Sequence, residues 1–161
     1  MTRFIFLLVA AIFTLSVPAF AQTNINLGGL SADPSAPVEI AAESLTVDQD
    51  TGTAVFEGEV VIGQGDLRLS AQRVEVVYGA TTGEIARLRA SGGVVFATAT
   101  EAAEATTADY DITNGTLELS GNVLLTQGSS AISAEQMVIN LITGDAQLSG
   151  RVRTVLQQGG N

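Results

Sequence analysis

Seventeen carboxylates and seven arginines are the only side chains here that carry charge at neutral pH, because the 161 residues include no Lys, no His and no Cys. Glu57 and Glu59, two apart along one alternating stretch, could form a carboxylate pair for general acid–base work. No nucleophile accompanies them, and a solvated strand face is their expected role. Asp48-Gln-Asp50-Thr-Gly52, with Glu59 at the twelfth place, mimics a calcium-binding loop. Its glycine falls at the fifth place instead of the sixth and the segment lies within a β pattern, so no calcium site is expected. Beyond Arg3 the cations are Arg68, Arg73, Arg87, Arg89, Arg151 and Arg153. Arginine suits bidentate phosphate contact, though scattered outward arginines ordinarily balance acidic neighbours. Without Cys there is no disulfide framework or thiolate nucleophile. Without His there is no Ser-His-Asp triad and no imidazole metal site. Without Lys there is no Walker A loop and no Schiff base. No enzyme activity, cofactor or metal is expected. A formal charge of −10 also argues against nucleic acid as a partner, since phosphates need a basic face.

The elements that position these groups begin after a sorting signal. Arg3, the apolar run Phe4 to Val17, Pro18 and Ala19-Phe20-Ala21 describe a secretory signal peptide cut after Ala21. The run falls short of the ~20 apolar residues of a spanning helix, and no Cys follows the site to carry a lipid anchor. Residues 22–37, QTNINLGGLSADPSAP, read as a flexible lead-in, and residues 157–161 as a polar tail. Between them, 38–156 form one domain; the whole sequence is 46% hydrophobic and 15% charged, enough to build a core.

That domain alternates with period two. Ala54, Phe56, Gly58, Val60 and Ile62 share one face, and Leu117, Leu119, Gly121, Val123 and Leu125 do likewise. Such alternation predicts half-buried strands and no helix. Four units of about 30 residues recur. Ala42-Glu-Ser-Leu45-x-Val47 matches Ala71-Gln-Arg-Val74-x-Val76, Ala105-Thr-Thr-Ala108-x-Tyr110 and Ala134-Glu-Gln-Met137-x-Ile139. Each unit then passes a turn glycine (Gly52, Gly83, Gly115, Gly144) and a second glycine before hydrophobics, at Gly58, Gly92, Gly121 and Gly150. In every unit the apolar parity flips between the Ala and the residue three later, which predicts a bend or bulge there. The expectation is an all-β protein, an open jellyroll of about sixteen short antiparallel strands sharing one core. An outer-membrane barrel is rejected because it needs segments of ~10 residues and aromatic girdles, whereas aromatics are 5% of the chain.

The signal peptide, the alanine unit and the pieces FEGEVVI, LSGNVLL and LSGRVRT together resemble the LptA/OstA-like family of periplasmic lipopolysaccharide-transport bridge proteins. The nearest stretches are Ile40 to Tyr78 and Ala105 to Ile139. The resemblance implies a β-jellyroll shaped like a slightly open V, which holds lipid A acyl chains and stacks head to tail. It further implies an LptC-like inner-membrane partner at the N-terminal edge and an LptD-like outer-membrane partner at the C-terminal edge. This chain departs from the pattern in lacking a basic C-terminal tail and any Lys. The inward residues, and so the candidate lipid-binding groove, are Ile40, Leu45, Val47, Phe56, Val60, Ile62, Leu67, Leu69, Val74, Val76, Val94, Phe96, Leu117, Leu119, Val123, Met137 and Ile139. For any single one of them a closed core explains the burial as well. The alternative of a different class is therefore a secreted structural or adhesive β-solenoid with a closed core.

Overall fold

Alternating sequence becomes a single antiparallel sheet in the computed structural model, which describes residues 23–26, 33, 35–80 and 83–155. The predicted signal peptide and the 157–161 tail lie outside the described residues. Eleven strands follow one another in the order β1 (Thr23–Asn26), β2 (Val38–Ala41), β3 (Ser44–Asp48), β4 (Thr53–Gln64), β5 (Leu67–Tyr78) and β6 (Ile85–Ala97), then β7 (Glu101–Asp111), β8 (Thr116–Gln127), β9 (Ser130–Asn140), β10 (Asp145–Ser149) and β11 (Arg153–Val155). The strands β4 to β9 form a meander, each hydrogen-bonded to the next. At one edge β2 and β3 pair with successive halves of β4; at the other, β10 and β11 pair with successive halves of β9. Thr23–Asn26, expected to be part of a lead-in without structure, adds to the outer side of β10.

Six long strands replace many short ones because the predicted bends do not break the ladder. Register shifts fall between Glu57 and Val60, Ser70 and Arg73, Ser91 and Val94, Glu104 and Thr107, and Ser120 and Val123. The described residues thus form eleven strands, six of them long and bent, where about sixteen short ones were expected. Strands of 11 to 13 residues are long enough for a membrane barrel, so strand length is no argument against one. The topology is: the sheet order ends at β1 and β2 without the two pairing, and the apolar side chains point inward.

The bulges of β4, β6 and β8, which the shifts on β5 and β7 face, carry two signatures of the sequence repeat, and the break between β10 and β11 carries the same pair. The glycine and the residue after it both have positive φ: Gly58 and Glu59, Gly92 and Gly93, Gly121 and Asn122, Gly150 and Arg151. Over each of these glycines lies the side chain that follows a repeat alanine on the neighbouring strand, namely Glu43, Gln72, Thr106 and Glu135. The valine after the bulge then pairs with the next repeat's alanine, on the strand at its other side, as in Val60 with Ala71, Val94 with Ala105 and Val123 with Ala134. Because an extra residue flips parity, the apolar set stays on one face through the bend. On β5 that set is Leu67, Leu69 and Ala71 before the bulge, and Val74 and Val76 after it. The sheet is thereby folded into two arms whose inner faces enclose the core.

Candidate functional site

The inner faces of the two arms make one apolar interior. Of the seventeen predicted inward residues, thirteen are buried in its core: Val60, Ile62, Leu67, Leu69, Val74, Val76, Val94, Phe96, Leu117, Leu119, Val123, Met137 and Ile139. Ile40 and Phe56 are half-buried and pack against that core. Leu45 and Val47 differ. Their partners across the ladder are Phe56 and Ala54, so they stand on the same face, yet they are 54% and 60% exposed. The reason is positional: β3 is an edge strand, and nothing described packs over its inner face. The apolar surface that is sealed in the middle of the molecule therefore emerges at its N-terminal edge.

Three inward polar residues escaped the sequence reading. Gln64 is 1% exposed, Glu101 4% and Tyr110 3%. The Tyr110 hydroxyl donates to Gln64 Oε1 at 2.9 Å, and Gln64 Nε2 donates to Ala36 O at 3.1 Å. Burial pushes the Tyr110 phenol above its ordinary value, which keeps it a neutral donor. Gln127 Nε2 donates to Glu101 Oε1, while Glu101 Oε2 and Thr98 Oγ1 have no hydrogen-bond partner. The signal for all three was parity. Gln64 continues the inward column of Val60 and Ile62, Glu101 that of Ala103 and Ala105, and Tyr110 stands where other repeats carry Val47, Val76 and Ile139.

Apart from Glu101 the charged groups turn outward, where four of the arginines are paired with carboxylates. Arg73 pairs with Glu57. Arg89 Nη1 meets Glu75 Oε1 at 2.9 Å, and Arg87 reaches Asp109 and Asp111 at 3.1 Å each. Arg151 Nη2 lies 2.6 Å from Glu135 Oε1. Arg68 Nη1 donates to the carbonyls of Gly65 and Leu67. Glu57, one half of the supposed carboxylate pair, is thus engaged by an arginine, and Glu59 occupies the left-handed second place of a bulge at φ 42°. Asp48, the first residue of the calcium-like stretch, caps its own turn by accepting from the backbone N–H groups of Asp50 and Thr51, which holds its carboxyl below the usual range.

This arrangement is a packed apolar interior between two arms, and among the described residues no group of metal-ligating side chains is assembled. Residues 39–145 match the family model described as LptA/(LptD N-terminal domain) LPS transport protein. The chain belongs to this family. An uncharacterized protein of Rhizobium meliloti (strain 1021) is 29% identical over 150 residues, covering 86% of this chain and 81% of the relative. Among solved structures, the fold is shared with LptH, the LptA-homologous periplasmic component of the lipopolysaccharide transport device of Pseudomonas aeruginosa. There the TM-score is 0.71 at 20% identity, over 79% of this chain and 99% of LptH. The unclosed sheet agrees with the fold of this family.

Proposed function

We propose that this member of the family is a periplasmic lipopolysaccharide carrier, one element of a protein bridge that moves the lipid from the inner to the outer membrane. After export and cleavage behind Ala21, the lipid A acyl chains lie between the two arms, against the inner-face residues around Phe56, Phe96 and Leu119. The observation that carries the reading is the single apolar face running from β3 to β10, exposed at one edge through Leu45 and Val47. An acyl chain left in water costs about 0.8 kcal/mol per methylene, so transport across an aqueous space requires a continuous apolar path. Arms that share unbroken strands can part at their bulges without losing ladder hydrogen bonds, which a closed barrel cannot do.

The edges supply the joints. The β2 and β3 edge receives lipid from an LptC-like partner, and the β10 and β11 edge passes it to an LptD-like partner or to the next copy, head to tail. Main-chain pairing gives affinity to such strand addition, and two unlike edges make a heterologous contact that stays open-ended. Photocrosslinking amino acids at Phe56 and Phe96 test the reading, with outward Val95 as control. Lipopolysaccharide labelled at the first two and not at the third is the expected result. Labelling at none of them, together with unchanged outer-membrane lipopolysaccharide on depletion of the protein, would overturn it.

A further inference from the structure

The interior is closed as it stands: Val60, Val74, Phe96, Leu117 and Leu119 have no exposed surface. Admission of any acyl chain therefore begins with separation of the arms, and what holds their free ends together decides how readily that happens. Gln64 is the last residue of β4, at the turn that ends one arm. Tyr110 is the penultimate residue of β7, at the turn that ends the other. Their side chains meet between the arms in the hydrogen bond of 2.9 Å, with both residues almost wholly buried. The other buried polar side chain, Glu101, is bonded by the exposed Gln127, its directly opposed residue on the adjacent strand of the same arm, and that bond ties nothing across.

We infer that Tyr110 and Gln64 form a latch that closes the mouth of the apolar interior and sets how often the arms open to admit lipid. The inference rests on the carrier reading for its purpose, but not for its physics. A buried hydrogen bond is cheap to keep and expensive to break without replacement, because each partner would be left unsatisfied until water reached it. Apolar contacts between the arms have no such directional preference and can slide. The latch also reaches the N-terminal segment, since Gln64 Nε2 holds Ala36 O, so release of Gln64 frees the chain preceding β2 as well.

The absence of cysteine from the sequence makes the test clean. Ala103, near the mouth on β7, and Ala108, beside the bulge on the same strand, are both buried. Each is replaced singly by cysteine, and its reaction with a maleimide is timed without lipid, in the parent and with Tyr110→Phe or Gln64→Leu. Urea midpoints are recorded in parallel. Loss of the latch is expected to speed labelling of Ala103→Cys about tenfold, the factor that one net buried hydrogen bond supports, while Ala108→Cys keeps its rate. Equal acceleration at both positions, tracking a lower urea midpoint, would mean the bond only adds to global stability and would overturn the proposal. No acceleration at either position in either variant would also overturn it. Lipopolysaccharide crosslinking at Phe96, scored separately, tells failure of the latch from failure of the carrier reading.

Discussion

At Gly121 two constraints coincide that no other residue type meets. Its φ is +82°, and an added Cβ would lie 2.7 Å from Thr106 Oγ1 and 2.9 Å from Thr106 Cβ. A side chain there is strained both by the backbone and by a neighbour fixed in the ladder. Gly121→Ala is expected to destabilise the fold by roughly 2 kcal/mol, read as a lower urea midpoint, whereas Asn122→Gly beside it, at φ +50°, is expected to cost little or to stabilise. Asp111 makes a prediction of a different kind. Hydrogen bonds from the Asn114 side chain and backbone hold its carboxyl below the ordinary 3.8, with burial opposing and Arg87 adding attraction. A value lowered on folding contributes stability that is complete above the unfolded pKa and disappears as pH falls through the folded one. Asp111→Asn is therefore expected to be less stable than the parent at neutral pH and to converge with it in acid, below 3.8. Urea midpoints across that range check the sign; a difference that grows in acid would contradict the assignment.

Strands and their edges carry the next set of consequences. Four registered pairs, Thr23 with Leu148 through Asn26 with Asp145, place β1 on the outer side of β10. That is the C-terminal edge which the bridge reading assigns to the next protein, so the chain's own N-terminal strand competes with it for the same backbone groups. Deleting Gln22 to Asn26 is expected to strengthen head-to-tail association, seen in light scattering as a mass that climbs at lower protein concentration. An unchanged mass curve would show that β1 does not guard the edge. This pairing was invisible in the sequence because QTNIN has no alternation long enough to mark a strand, and its partner lies more than a hundred residues away. The bulges, by contrast, were legible. The parity flip at Ala71 to Val74 and the recurring glycines sit where the register shifts. Inwardness was legible as well, since it follows from parity alone. Exposure was not: Leu45 and Val47 read like Val74 and Val76, and only their place on an edge strand leaves them uncovered. The Tyr110 to Gln64 contact spans 46 residues and joins opposite arms, a relation that depends on how the sheet folds over and has no local signature.

On the carrier reading, the apolar inside and acidic outside of the whole molecule divide the work of binding an amphiphile. Phe96 is completely buried and Phe56 only partly. Phe96→Asp is thus expected to cost on the order of several kcal/mol and Phe56→Asp distinctly less, with urea midpoints giving the order. The outside then decides what the lipid's phosphates contribute. A net charge of −10 repels them at long range, and Arg73, Arg87, Arg89 and Arg151 are already paired with carboxylates. Recruiting one of these arginines to a phosphate would strand its present partner, so little net attraction remains. On that reading, affinity for lipopolysaccharide is expected to come from acyl burial, which salt does not screen. Raising ionic strength from about 0.01 M to about 1 M shortens the screening length from about 30 Å to about 3 Å. Across that range the dissociation constant measured by titration is expected to stay level or fall slightly, as repulsion between the acidic surface and the phosphates is damped. A protein that gripped phosphates with a basic rim would instead lose affinity steeply with salt. Weakening by tenfold or more would place phosphate contacts, and with them arginines released from their carboxylate partners, at the centre of recognition.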